Sequence, residues 1–153
     1  MTGVRVREAA AGDLEALLDL YRDMHARNGP AEPAALESAW TALLAHPGAR
    51  VLLLEADGVP ASSCVLYVYP NLSRGARPFG LVENVVTRAD CRRRGYAERL
   101  LSRALALAWE EGCYKVLLLT GRADPSVHLL YGRVGFLAGV KTGYIAYPPD
   151  GPP

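Results

Sequence analysis

Cysteine is scarce in this chain, with three in 153 residues: Cys64, Cys91 and Cys113. They are odd in number, far apart, and match neither a zinc-ligand nor a redox spacing, so no disulfide framework and no metal centre is expected. Free thiols of a reducing cytoplasm account for them. A surplus of positive charge is also missing. Seventeen Lys and Arg face sixteen Asp and Glu, for a net charge of +1, and a general nucleic-acid binder needs far more to neutralise phosphates. No apolar run is long enough to cross a bilayer. The opening Val4–Glu15 mixes charges with alanines and never forms the apolar centre of a signal peptide. The chain carries no internal repeat. These absences lead to the expectation of a cytoplasmic protein with no nucleic-acid partner, no membrane partner and no metal.

What is present is globular. Half of the residues are hydrophobic and 22% are charged, the composition of a chain that builds a core. One domain is expected over residues 1–147, with 148–153 as a disordered tail. Val4-Arg5-Val6-Arg7 alternates as a strand does. Leu14, Leu17, Leu18, Tyr21 and Met24 form the stripe of an amphipathic helix that Gly29 and Pro30 break. A second helix opens near Pro33 and buries Leu36, Trp40, Leu43 and Leu44. Val51–Leu54 and Ala61–Tyr69 read as a hairpin around Ala56-Asp57-Gly58, and Pro70–Pro78 as a loop. A strand over Phe79–Thr87 leads to the longest helix, from about Arg94, with Ala97, Leu100, Leu101, Ala104, Leu105 and Ala108 on one face and Gly112 as its stop. Lys115–Leu119 is a short apolar run expected to be covered on both faces. Asp124 and Pro125 open a helix that reaches Val134. Strands are expected near Phe136–Val140 and Thr142–Tyr147. The order implies an α+β (α/β) sheet with helices on both faces, and a right-handed crossover between the parallel Phe79–Thr87 and Lys115–Leu119 strands.

The stretch from Thr87 to Leu101 carries the most chemistry. A strand ends, an arginine-rich turn containing Gly95 follows, and a helix begins at once. The first N–H groups of a helix lack internal partners and sit at its positive dipole end, so they bind anions. Gly95 and the small Ala97 permit close approach, and Arg88, Arg92, Arg93 and Arg94 add positive potential. The spacing alone equally allows a glycine chosen for its backbone angles among solvated arginines. A Gly-x-Gly-x-x-Gly pattern is absent, which excludes the dinucleotide fingerprint here.

Arg92-Arg93-Arg94-Gly95-Tyr96-Ala97 resembles the Arg/Gln-x-x-Gly-x-Gly/Ala motif of the GNAT superfamily of N-acetyltransferases. Glu83-Asn84-Val85-Val86-Thr87 before it resembles that family's central strand, and Leu130-Tyr131-Gly132-Arg133-Val134-Gly135-Phe136 its C-terminal signature. The likeness covers nearly the whole chain. It implies a central mixed sheet of about six to seven strands flanked by four helices, with a splayed parallel strand pair that holds acetyl-coenzyme A. By this resemblance the cofactor contacts fall on Val85, Val86, Thr87, Arg92, Arg93, Arg94, Gly95, Tyr96, Ala97, Asp124 and Tyr131. Many family members have asparagine where Asp124 stands, and an aspartate caps a helix equally well but brings negative charge toward a polyanion.

Acetylating an amine poses two proton problems: the ammonium must lose a proton and the departing thiolate must gain one. Glu83, on the strand beside the expected thioester, is the candidate base, with a purely substrate-binding carboxylate as the alternative. Tyr131 matches the family tyrosine that approaches the coenzyme sulfur and is the candidate acid, with sheet packing as the alternative. Thr120, at a strand end, and His128, one helical turn before Tyr131, complete the substrate-contact candidates beside Glu83. A structural histidine is the competing account of His128. Glu83-Asn84-Val85-Val86 with Cys113-Tyr114-Lys115 loosely resembles the branch containing glucosamine-6-phosphate N-acetyltransferase. The expectation is acetyl transfer to a small-molecule amine, an amino sugar or amino acid, in a ternary complex within a homodimer. A protein N-terminus or lysine as acceptor, and a non-catalytic acyl-coenzyme A sensor, are the alternatives.

Overall fold

The computed structural model describes residues 3–22, 24 and 31–152. β1 (Val4–Glu8) is followed by a 3-10 turn at Ala11–Asp13, α1 (Leu14–Tyr21) and α2 (Pro33–Ala45). The break expected at Gly29 and Pro30 lies outside the described residues. β2 (Ala49–Ala56) and β3 (Val59–Tyr69) form a hairpin whose connecting Asp57 and Gly58 both have positive φ, the backbone that a two-residue hairpin turn requires. α3 (Ser73–Ala76) is a single irregular turn, β4 (Phe79–Thr87) follows, and a 3-10 turn at Ala89–Cys91 leads to α4 (Tyr96–Glu110). β5 (Val116–Leu118) and α5 (Pro125–Val134) complete the regular elements.

The sheet has the order β1-β2-β3-β4-β5. All neighbours are antiparallel except β4 and β5, which α4 connects as a parallel pair. Helices cover both faces, which is why Leu52, Leu53 and Leu54 are all buried in succession where a one-sided strand would alternate. On one face Leu52, Leu54, Leu66 and Val82 pack against Leu100, Leu101, Ala104 and Ala108 of α4. On the other, Leu53, Val65 and Val86 pack against Leu17 and Leu20 of α1 and Trp40 of α2. The Trp40 indole donates to the Ala11 carbonyl at 3.0 Å, fixing α2 across the start of α1. Glu55 is buried between Arg5 and Arg7, and Arg7 also reaches Asp13 at 2.7 Å. This ionic cluster ties β1 to β2 and to the N-terminus of α1.

Several expectations are corrected. Among the described residues the sheet has five strands, not six or seven, and the helices number five including the short α3, not four. Phe136–Val140 and Thr142–Tyr147 form no strand, since no edge is paired with them. α4 begins at Tyr96, two residues after Arg94, because Gly95 is left-handed (φ 75°) and cannot continue a helix. β5 is not covered on both faces: Leu117 is 38% exposed and the following Leu119 59%. Leu44 faces solvent rather than the core.

Candidate active site

The site begins where the sheet stops pairing. β4 meets β5 only through Gly80–Val82 against Val116–Leu118. Beyond Val82, β4 continues to Thr87 with no described strand on that side. The register against β3 slips between Ser63 and Val65, opposite Asn84, whose φ is +53°. Such a bulge bends the strand and re-aims its side chains. Before it, Val82 faces the α4 side; after it, Val85 faces the α4 side and Val86 the α1 side. The Ser62 hydroxyl fixes this geometry by donating to the Val86 carbonyl at 2.7 Å.

The end of β4 opens onto the turn that launches α4. Arg92 is extended, Arg93 has φ +60° and Gly95 φ +75°. This alternation curls the chain so that successive N–H groups face one concavity, the geometry of an anion nest. The N–H groups of Arg93, Arg94 and Gly95 meet no backbone carbonyl among the described residues, and those of the first α4 turn are free by helix geometry. A Cβ built at Gly95 meets nothing within 4 Å, so the concavity is open.

A cleft of about 290 Å³ lies over this turn, between β4, α4 and α5. Of the residues proposed from sequence to contact the coenzyme, Val85, Val86, Thr87, Arg92, Arg93, Gly95, Tyr96, Ala97, Asp124 and Tyr131 all line it. Arg94 does not. Neither do the substrate candidates Glu83, Thr120 and His128. Thr120 Oγ1 accepts from the Arg122 N–H at 3.2 Å and His128 Nε2 meets the Arg122 carbonyl at 2.9 Å, so both brace the loop between β5 and α5. Glu83 opposes Val65 across the β3–β4 ladder and points to the α1 side.

Sequence reasoning missed Arg122, which lines the cleft from that loop. Its charge, with Arg92 and Arg93, has no carboxylate pair among the described residues, whereas Arg133 is paired with Glu98 at 3.2 Å. The cleft is thus cationic where an anion would sit. Asp124 caps α5 by accepting from the Ser126 N–H at 2.9 Å. That bond, and next the neighbouring Arg122 charge, hold its carboxyl below the usual range. The Tyr131 ring is half-buried and meets Phe136 edge-on at 6.1 Å. Burial pushes its phenol above the usual value, so it stays protonated through neutral pH.

The sequence profile of the Acetyltransferase (GNAT) family matches residues 14–136, and the chain belongs to that family. It is similar to a protein from Agrobacterium tumefaciens str. C58 assigned as an acetyltransferase: 38% identical, TM-score 0.88, covering 94% of this chain and 99% of that one. A probable glucosamine 6-phosphate N-acetyltransferase 2 of Oryza sativa subsp. japonica is 36% identical over 93 residues, 61% of this chain and 49% of that protein. The match thus spans about half the length of this curated relative. The glucosamine-6-phosphate N-acetyltransferase of Arabidopsis thaliana shares the fold, with TM-score 0.74 at 16% identity over 95% of this chain and 97% of that one.

Proposed function

We propose that the chain transfers the acetyl group of acetyl-coenzyme A to a primary amine of a small molecule, an amino sugar or amino acid, by direct attack in a ternary complex. The observation that carries this reading is the unpaired end of β4 beside an open, cationic turn at the α4 N-terminus. The turn residues Arg92, Arg93, Gly95, Tyr96 and Ala97, with Arg122, suit the coenzyme's pyrophosphate, and Val85 and Val86 suit its amide-bearing arm. Acetyl-coenzyme A supplies the activated thioester. Glu83, reaching from the α1 face of the same gap, takes the proton of the acceptor ammonium through a water. Tyr131, on the α5 face, holds a proton for the departing sulfur. The lie of Glu83 and Tyr131 on opposite sides of the sheet supports an acceptor that approaches from the α1 side and a coenzyme held on the α4 side.

A second copy of the chain is the proposed partner. Leu137, Val140, Tyr144 and Ile145 are 66–90% exposed in one C-terminal stretch, more apolar surface than an isolated chain ordinarily leaves to water. Sedimentation equilibrium tests it, with a monomer at all concentrations as the refuting result. The activity itself is tested by thiol release from acetyl-coenzyme A with amino sugars, amino acids and peptide amines. Consumption with the small amines supports the reading. Consumption with peptides alone favours a protein acceptor, and tight binding without consumption favours a sensor.

A further inference from the structure

The α1 side of β3, β4 and β5 carries a surface that the coenzyme cleft does not use. Val82 faces α4, so Phe79, Leu81 and Glu83, its odd-numbered neighbours, face the other way. Tyr67 lies across from Leu81 and Tyr69 across from Phe79. The rings of Tyr67 and Tyr69 are stacked, 5.9 Å between centroids and 11° apart, and Phe79 continues the row 5.5 Å from Tyr69. Lys115 ends it, with Nζ 5.7 Å from the Phe79 centroid and 5.2 Å from that of Tyr114. Glu83 stands at the opposite end, about 13 Å along the strand from Phe79. The row therefore has an anion at the end nearest the gap, an aromatic middle and a cation at its far end.

From this arrangement we infer that the acceptor is a primary amine on a flat, apolar body with an anionic group at its other end. The ammonium lies on Glu83, the body on the Tyr67–Tyr69–Phe79 row, and the anion on Lys115. The inference rests on the acetyl-transfer reading above and narrows its acceptor toward the amino-acid class. Three points carry it. Lys115 is in none of the ion pairs among the described residues, and a cation held over ring faces keeps N–H donors for an anion. Apart from two phenol hydroxyls, the floor between the charged ends is carbon: Leu81, Leu117 and the ring faces. A polyhydroxylated sugar laid there would lose water from hydroxyls that gain no partners, whereas a flat apolar ring stacks.

The test uses the full chain, acetyl-coenzyme A and three probes: 4-(aminomethyl)benzoate, benzylamine and glucosamine 6-phosphate. The expected kcat/KM for 4-(aminomethyl)benzoate exceeds that for benzylamine by roughly five- to tenfold, the worth of one partly exposed charge-assisted contact. It also exceeds that for glucosamine 6-phosphate. Lys115→Gln removes the preference for the carboxylate-bearing probe and Lys115→Arg retains it. Because the readout is a ratio within one protein sample, a partly unfolded variant does not mimic the result. A ratio unchanged in Lys115→Gln, or a faster reaction with glucosamine 6-phosphate, overturns the inference and leaves acetyl transfer standing. Binding of acetyl-coenzyme A by calorimetry, with none of the probes nor any other amine consumed, overturns the transfer reading and this inference with it.

Discussion

Replacing Gly95 with valine tests the pyrophosphate turn directly. The residue has φ +75°, and a Cβ there meets nothing within 4 Å. The folded chain thus has room for the side chain but not for its backbone preference. A β-branched residue at positive φ carries strain on the order of 1–3 kcal/mol. The turn relieves it by rotating residues 93–96, which disperses the N–H groups that converge on one point. Loss of one or two charge-assisted hydrogen bonds costs about 2–4 kcal/mol, or roughly 30- to 900-fold in Kd for acetyl-coenzyme A. Gly95→Asn separates backbone from bulk, because asparagine enters the left-handed region more readily than valine. If the turn's angles matter, asparagine retains most of the affinity. If the ligand approaches through the Cβ position, both variants lose it alike. The assay is calorimetric titration, with thermal melting to show that each variant is folded. An unchanged Kd in folded Gly95→Val refutes the assignment of the anion site to this turn.

Tyr131→Phe keeps the ring against Phe136 but removes the proton donor, so kcat falls roughly 10- to 1,000-fold while Kd for acetyl-coenzyme A holds; a wild-type kcat leaves Tyr131 as a packing residue. Glu83→Gln cannot accept a proton, so its kcat/KM depends more steeply on pH and recovers in part at high pH, where the amine is already free. Parallel profiles with only KM raised assign Glu83 to substrate binding instead. Arg7→Met leaves Glu55 buried with Arg5 alone, which costs about 2–4 kcal/mol and lowers Tm by roughly 5–15 °C; a Tm at the wild-type value rejects the ionic cluster as a support of β1. Arg7 also holds the Asp13 carboxyl at about 2, below its ordinary 3.8. A depressed carboxyl stabilises the fold at pH above its unfolded value, so this contribution is full above 3.8 and disappears as pH falls toward 2. Urea midpoints measured across that window fall in the wild type and flatten in Arg7→Met.

Local chemistry was readable from the residues themselves. The arginine-rich turn, the Asp124 cap and the stripe of α4 depend on neighbours within a few positions, and spacing reports those directly. Eight of the coenzyme candidates line one cleft for the same reason, that β4, the turn and the start of α4 are contiguous in the chain, and Asp124 and Tyr131 join them from α5. Arg122 escaped notice because nothing near it in sequence marks it. It reaches the cleft only because α5 packs against α4. Thr120 and His128 stand outside the cleft lining for the converse reason: strand end and helical spacing bring them near the site, while their hydrogen bonds hold the loop before α5.

The C-terminal stretch shows the limit most clearly. Phe136–Val140 and Thr142–Tyr147 have the β-branched and aromatic residues of strands, yet strand propensity expresses itself only where an edge is available to pair. β5 offers an edge of only three residues, and among the described residues no sixth strand forms on it. By itself the sequence determined the family and the order of the five strands and four longer helices through α5, because these follow from short-range pattern. Only the tertiary structure decided that β4 loses its partner after Val82, that Glu83 and Tyr131 lie on opposite sides of the sheet, and that Tyr67, Tyr69, Phe79 and Lys115 form one row. Those relations join residues far apart in the chain, and they exist only once helices cover both faces of the sheet and set which way each strand residue points.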